Sequence, residues 1–307
     1  MNKERLLIIA AFAAIYFIWG ATYLANWYAV QDMPPFIMSA ARFFTAGLIL
    51  FGVGIAMGQP LPTRRNWQQA FWVGTFFLAL GTGGVVWAMQ YLDSSMAALL
   101  IGGEPLVILL LMWALKSTRP KWNGVVGVSL GILGMYLLVG QPHLVANSNN
   151  VKGLIAIAIS MLSWGVIAVK LNDFDLPSSR LLSSAMQMVS GGISLFIFSL
   201  WIGEYQDFSW ARVTPRGVGA WIFLVLLGSI VAFSAFNYLL TKVSPDKVAT
   251  SNYVNPVVAL LLGWGLNNEE ITPQSLLAAT ILIFSVFLIN SKLTKFSLAK
   301  GRKKAAL

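Results

Sequence analysis

The chain is a succession of apolar runs, most of them near membrane-spanning length, joined by short connections. About 20 apolar residues in an α-helix match the hydrocarbon thickness of a bilayer. Inside lipid a backbone must satisfy its own N–H and C=O groups, which leaves helices or closed barrels. Uninterrupted runs without strand-like alternation select helices. We read ten: 6–27, 34–57, 68–91, 94–115, 121–140, 152–171, 179–202, 217–240, 245–266 and 272–291. Leu92-Asp93-Ser94 and Val243-Ser244-Pro245 leave room only for tight turns. The first run follows Lys3 and Arg5, as in a signal peptide. It continues to about Ala25 and equally apolar runs follow, so it counts as the first span.

Composition excludes a water-soluble domain. Hydrophobic residues make up 57% of the chain and charged residues 10%, with mean hydropathy +0.73. An average soluble domain carries roughly 25% charged residues. The net charge of +10 does not point to nucleic acid, because the basic residues sit singly or in short groups between apolar runs. That is loop charge beside an anionic lipid surface, not a phosphate-binding face. With no cysteine, disulfides, thiol catalysis and thiolate metal sites are excluded.

The positive-inside rule tests the number of spans. With the N-terminus inside, 17 of the 21 Lys and Arg fall inside, counting the basic tail that begins at Lys292. Only Lys152, Arg212 and Arg216 fall outside, and Arg42 lies within a span. Outside receives Asp32, Asp93, Glu204, Asp207, Glu269 and Glu270, six of the 11 acids. One span more or fewer in the middle would reverse every later loop. The split therefore supports ten spans with both termini inside.

The two halves repeat. FIWGATY, with Trp19-Gly20, corresponds to SWGVIAV, with Trp164-Gly165, at an offset of 145. The same offset places Arg42 on Gln187 and Ala46-Gly47 on Gly191-Gly192. An offset of 151 lays residues 92–111 over 243–262 and places Glu104 on Asn255 and Pro105 on Pro256. The expected fold class is an all-α integral membrane protein with N-in/C-in topology. Its units are 1–145, 146–291 and a basic cytoplasmic tail, 292–307. Five spans per unit, an odd number, make the units inverted. Inverted repeats commonly build carriers with the substrate at mid-depth between the halves.

A charge at the bilayer centre costs on the order of 2.5–3.5 kcal/mol on insertion scales, and it usually faces a cavity or a partner. Glu104 and Arg42 are the two such charges. Counted from the ends of their spans they lie at similar depth, roughly 15 Å and 12 Å down. They form either a binding pair, Arg42 for a carboxylate and Glu104 for an ammonium group or a proton, or an ion pair joining two helices. Gln187 and Asn255 are their neutral counterparts. Pro105 and Pro256 each disturb the helix about one turn earlier, and Gly102 and Gly103 permit close backbone approach. Trp19, Tyr23, Trp87, Trp164, Asn237 and Tyr253 could line an amphipathic cavity or anchor and pack the helices. Glycines at 124, 127, 131 and 134 suit close helix packing inside the molecule, with a homodimer as the alternative.

His143 is the only histidine and falls in a loop. No metal-ligand spacing and no phosphate-binding glycine loop with its lysine occur, so neither metal nor cofactor is expected. A membrane enzyme lacks a buried base and nucleophile, and a pore lacks a continuous polar lining.

The stretches YFIWGATYLANWYAV, PPFIMSAARFFTAG and GGEPL, with SMLSWG and YVNPVVALLLG in the second half, resemble the EamA family of the drug/metabolite transporter superfamily, in its YedA-like inner-membrane branch. The resemblance covers about residues 6 to 291. It implies a ten-helix inverted-repeat fold and movement of small metabolites, often export of amino acids or related compounds. Protonation of Glu104 would make the carrier a proton antiporter; without it the chain would be a uniporter or exchanger. The expected partners are a small-molecule substrate and membrane lipid.

Overall fold

The structure is a computed structural model, and it describes residues 3–117, 122–139, 148–243, 248 and 251–290. His143 and the basic tail at 292–307 lie outside the described residues. So do the side chains of Asn237 and Tyr253.

Among the described residues the elements are all helical. Seven helices are long and apolar enough to cross a membrane: α1 (Lys3–Asp32), α2 (Pro35–Ala56), α3 (Arg64–Ala88), α4 (Ser94–Lys116), α6 (Asn149–Asp173), α7 (Arg180–Trp201) and α8 (Pro215–Phe236). Three shorter apolar helices complete the set: α5 (Trp122–Leu138), α9 (Val254–Asn267) and α10 (Pro273–Leu288). The chain is therefore a multi-pass membrane protein. Large apolar side chains such as Phe17, Ile132, Phe196, Leu226 and Phe287 stay exposed. In water that surface would promote aggregation; in lipid it is the outer wall.

Local sequence sets the helix ends. Thr63 caps α3 by accepting from the Asn66 amide while Asn66 accepts from the Thr63 amide, a capping box. Thr214 caps α8 by accepting from the Gly217 amide. Proline opens α2, α8 and α10, where a missing N–H costs nothing.

Three helices contain π-helical stretches: Ala14–Ile18 in α1, Thr75–Thr82 in α3 and Leu224–Val231 in α8. The wider turn takes carbonyls out of the α-helical ladder, and lipid supplies no donor for them. Neighbouring side chains do. Ser163 donates to the Phe76 carbonyl at 2.6 Å and Ser160 to that of Leu80 at 3.2 Å. The Trp19 indole donates to the Gly228 carbonyl at 3.2 Å. The Asn255 amide nitrogen, turned to satisfy its neighbours, donates to the carbonyls of Ile15 and Tyr16, both at 3.1 Å.

Packing runs between the two halves of the sequence. α2 lies along α7, α5 along α10 and α4 against α9. α1 packs on α8, and α6 packs on α3. The α2–α7 crossing is a close reciprocal contact. A Cβ on Gly47 would stand 2.8 Å from the Val189 nitrogen, and one on Gly192 would stand 2.8 Å from the Phe44 nitrogen. Only glycine allows the two backbones this approach. On α5 and α10, Ser285 donates to the Gly127 carbonyl at 2.7 Å, and a Cβ on Gly134 would stand 2.9 Å from Leu282. The glycine face of α5 thus packs inside the molecule.

Gly47→Ala and Gly192→Ala should each destabilise the protein by ~1–3 kcal/mol, the usual cost of overpacking. The check is the thermal unfolding midpoint in detergent, with Gly52→Ala as control, since a Cβ there meets nothing within 4 Å. Midpoints equal to the control would contradict the close crossing.

Candidate functional site

The segment Trp19–Asn26 of α1 carries the site, with one charged residue on each side of it. Arg42 comes from α2 and is 6% exposed. Its Nε donates to Ser229 Oγ at 3.0 Å, and its Nη1 donates to Asn26 Oδ1 at 3.2 Å. The guanidinium also lies over the Phe43 ring, 4.9 Å from the centroid. Neutral acceptors and an aromatic face thus hold the cation without a carboxylate. Both anchors are placed by backbone: Ser229 sits in the π-helical stretch of α8, and Asn26 lies seven residues, two turns, beyond Trp19 on α1.

Glu104 lies on the other side. Helix α4 is interrupted at Gly103, between Ser94–Gly102 and Glu104–Lys116. There the Gly103 amide turns back to the Leu100 carbonyl, and the Leu106 amide to the Gly103 carbonyl, both at 3.0 Å. Pro105 removes a donor at the start of the second piece, which makes the break local. Glu104 is the first residue after it. A Cβ on Gly102 would stand 2.9 Å from Pro256 Cγ, so Pro256 packs against the broken turn at the α4–α9 crossing. Pro256 lies inside α9, and among the described residues the break expected at both prolines is seen only beside Pro105. The Tyr23 phenol lies within electrostatic reach of the Glu104 carboxylate. Among the described residues Glu104 forms no hydrogen bond and no ion pair.

Arg42 and Glu104 share a region but do not pair. The ion pairs among the described residues are Arg65–Asp175, Lys116–Asp173 and Lys242–Glu4, all exposed. Depth along two helices does not fix their rotation, and Arg42 is turned toward α8. Trp19 joins the Arg42 side: its indole holds the Gly228 carbonyl and its ring packs on Phe236 at 5.3 Å. Gln187, the counterpart of Arg42, donates to Ser183 on its own helix at 3.0 Å. Asn255, the counterpart of Glu104, binds α1 carbonyls. Trp164 stacks on Phe77 of α3 at 4.4 Å. Trp87 lines a separate apolar groove of ≈ 470 Å³ between α3, α6 and α7, with Phe71, Ile159 and Trp201.

Three carboxylates that read only as loop charge in the sequence are structural. Glu204 is 8% exposed and accepts from the Phe36 amide at 3.1 Å and the Ile37 amide at 2.9 Å, at the start of α2. Glu269 is 6% exposed and accepts from the Ser94 amide at 3.2 Å, the Ser95 amide at 2.9 Å, both serine hydroxyls and the Asn267 amide, at the start of α4. Asp32 accepts from the Thr214 amide at 2.9 Å and from its hydroxyl, at the start of α8. The helix N-terminus offers free amides and positive potential, and each carboxylate fills it. Asn26 and Ser229 were also hidden in the sequence, because single polar residues in apolar runs carry no pattern.

The comparisons with known proteins follow the same two-part layout. The EamA-like transporter family matches at residues 6–140 and again at 151–291. This chain belongs to that family. It is 33% identical to the uncharacterized inner membrane transporter YedA of Escherichia coli (strain K12), over 94% of this chain and 92% of that one. It is 24% identical to the protein PecM of Dickeya dadantii, over 93% of each chain. A solved crystal structure of 18% identity shares the fold, with a TM-score of 0.62, covering 92% of this chain and 96% of the other.

Burial pushes the Glu204 carboxyl above its ordinary pKa, reinforced by Asp207 and opposed by the Phe36 and Ile37 amides. Burial also acts on Glu269, but the bonds from Ser94, Ser95 and Asn267 outweigh it and hold that carboxyl below the ordinary range. Glu269 therefore contributes stability above its unfolded pKa, and that contribution disappears as pH falls through its lowered value. For Glu204 the ionised form is the disfavoured one, a cost that grows as pH rises through its raised value. On acidification the Phe36 and Ile37 amides should lose hydrogen-exchange protection before the Ser94 and Ser95 amides. The reverse order would contradict the two assignments.

Proposed function

We propose that this protein is a secondary carrier of the inner membrane that exports a small organic metabolite, an amino acid or related compound, by alternating access in exchange for protons. The observation that carries this reading is Glu104: a carboxylate beside a helix break, within electrostatic reach of Tyr23, with no hydrogen bond or ion pair among the described residues. A half-buried carboxylate at membrane depth without a counter-ion is stable with a proton or with a cationic group, and one such group excludes the other. Arg42 is already engaged by Asn26 and Ser229, so in this state it has a positioning role. The substrate accordingly brings its own positive charge, as an ammonium group does.

An N-in arrangement of two inverted five-helix units, 1–145 and 146–291, fits the contacts. Exchanging each helix for its counterpart five places on maps α1–α8 onto α6–α3 and leaves α2–α7, α4–α9 and α5–α10 unchanged. The twofold match of the family to the sequence and the reciprocal glycines, Gly47 and Gly192, support the same arrangement. Broken helices at the interface of inverted repeats are where such carriers place their substrates.

The test is flux of amino acids and amines in liposomes, with and without a pH gradient. Glu104→Gln should lose at least tenfold of the pH-driven flux while keeping the folded yield. Arg42→Gln should lower that yield, because Asn26 and Ser229 lose their partner. PH-driven flux that survives in Glu104→Gln would overturn proton coupling at this residue. No flux of any such compound under any gradient would overturn the carrier reading.

A further inference from the structure

We infer that Asp32, Glu204 and Glu269 act together as a gate that closes the substrate path at the end of the molecule where they lie. Each belongs to one half of the sequence and binds the N-terminus of a helix from the other half: Asp32 to α8, Glu204 to α2 and Glu269 to α4. All three lie at one end. Asp32 closes α1 next to the start of α2, where Glu204 binds, and Tyr28, one turn before Asp32, donates to the Leu266 carbonyl at the end of α9, beside Glu269. The three helices they hold are those that carry the site: Ser229 on α8, Arg42 on α2 and Glu104 on α4. The carboxylates are therefore positioning residues for the site as well as helix caps.

The opposite end is joined differently. Among the described residues its contacts between the halves include the exposed ion pairs Arg65–Asp175, Lys116–Asp173 and Lys242–Glu4, and hydrogen bonds from the Asn66 side chain to the Asp175 carbonyl at 2.9 Å and from the Asn123 side chain to the Leu288 carbonyl at 3.0 Å. Solvated pairs of long side chains exchange partners at little cost. Carboxylates on helix amides do not, because breaking them strands backbone donors and, for the buried Glu204 and Glu269, a charge as well. The structure is thus held shut at the acidic end, and opening there requires the three carboxylates to leave their helices. Serine hydroxyls flank the Glu269 seat, and Thr214 flanks that of Asp32.

The gate presupposes the carrier reading, but its test measures accessibility, not flux. The chain has no cysteine, so Tyr23→Cys, beside Glu104, provides a single reporter at the site. Membrane-impermeant methanethiosulfonate is applied from each side, using intact cells and inverted vesicles. With the gate intact, modification from the acidic side should be slow. Glu269→Gln should raise that rate at least tenfold and lower the rate from the other side. Ser95→Ala keeps the carboxylate and its backbone bonds, so it should move both rates in the same directions by less, and it decides the matter if Glu269→Gln does not fold. A lowered unfolding midpoint with unchanged sidedness would overturn the gate and leave three helix caps. Equal rates from the two sides with the gate intact would also overturn it.

Discussion

A backbone in hydrocarbon has no solvent to fall back on, and every feature of this fold answers to that constraint. Where helices are regular, the ladder satisfies itself. Where α1, α3 and α8 widen into π-helical turns, side chains from neighbouring helices take over: Asn255, Ser160, Ser163 and Trp19. Where α2, α4 and α8 begin, buried or capping carboxylates fill their amides. The residues that satisfy the backbone are mostly supplied from the other half of the chain. Satisfying the backbone and joining the halves are thus one set of contacts.

The same contacts explain why the duplicated scaffold carries an unduplicated charge. Asn255 is spent on the Ile15 and Tyr16 carbonyls, which a neutral amide can hold without the cost of burying a charge. Its counterpart Glu104 follows a broken turn and is not spent on backbone. Arg42 is held by Asn26, Ser229 and the Phe43 face, whereas Gln187 is satisfied within one helix turn. One half has polar groups that close the structure, and the other has a carboxylate left open for something else.

Much of this was legible in the sequence. Long apolar runs placed most helices to within about five residues, because length and hydropathy are local properties; α9, read from 245, is described as an apolar helix from Val254. The offsets paired Gly47 with Gly192, and each lets its helix approach the backbone of the other across α2 and α7. The site was legible as residue types at depth but not as contacts. Helix rotation decides whether Arg42 meets Glu104, and rotation follows from packing with α8 rather than from position along α2. Trp87 faces an apolar groove for the same reason. Asp32, Glu204 and Glu269 follow the last residues of apolar runs and read as loop charge.

The central claim is that the two halves are inverted with respect to the membrane. Gln59 follows α2 and Gln206 follows α7, in the connections after corresponding helices of the two units. In a chain without cysteine, Gln59→Cys and Gln206→Cys can each be labelled with an impermeant maleimide on intact cells. Inversion predicts that Gln206→Cys reacts from outside and that Gln59→Cys reacts only after the membrane is opened. Labelling of both positions from the same side would contradict it.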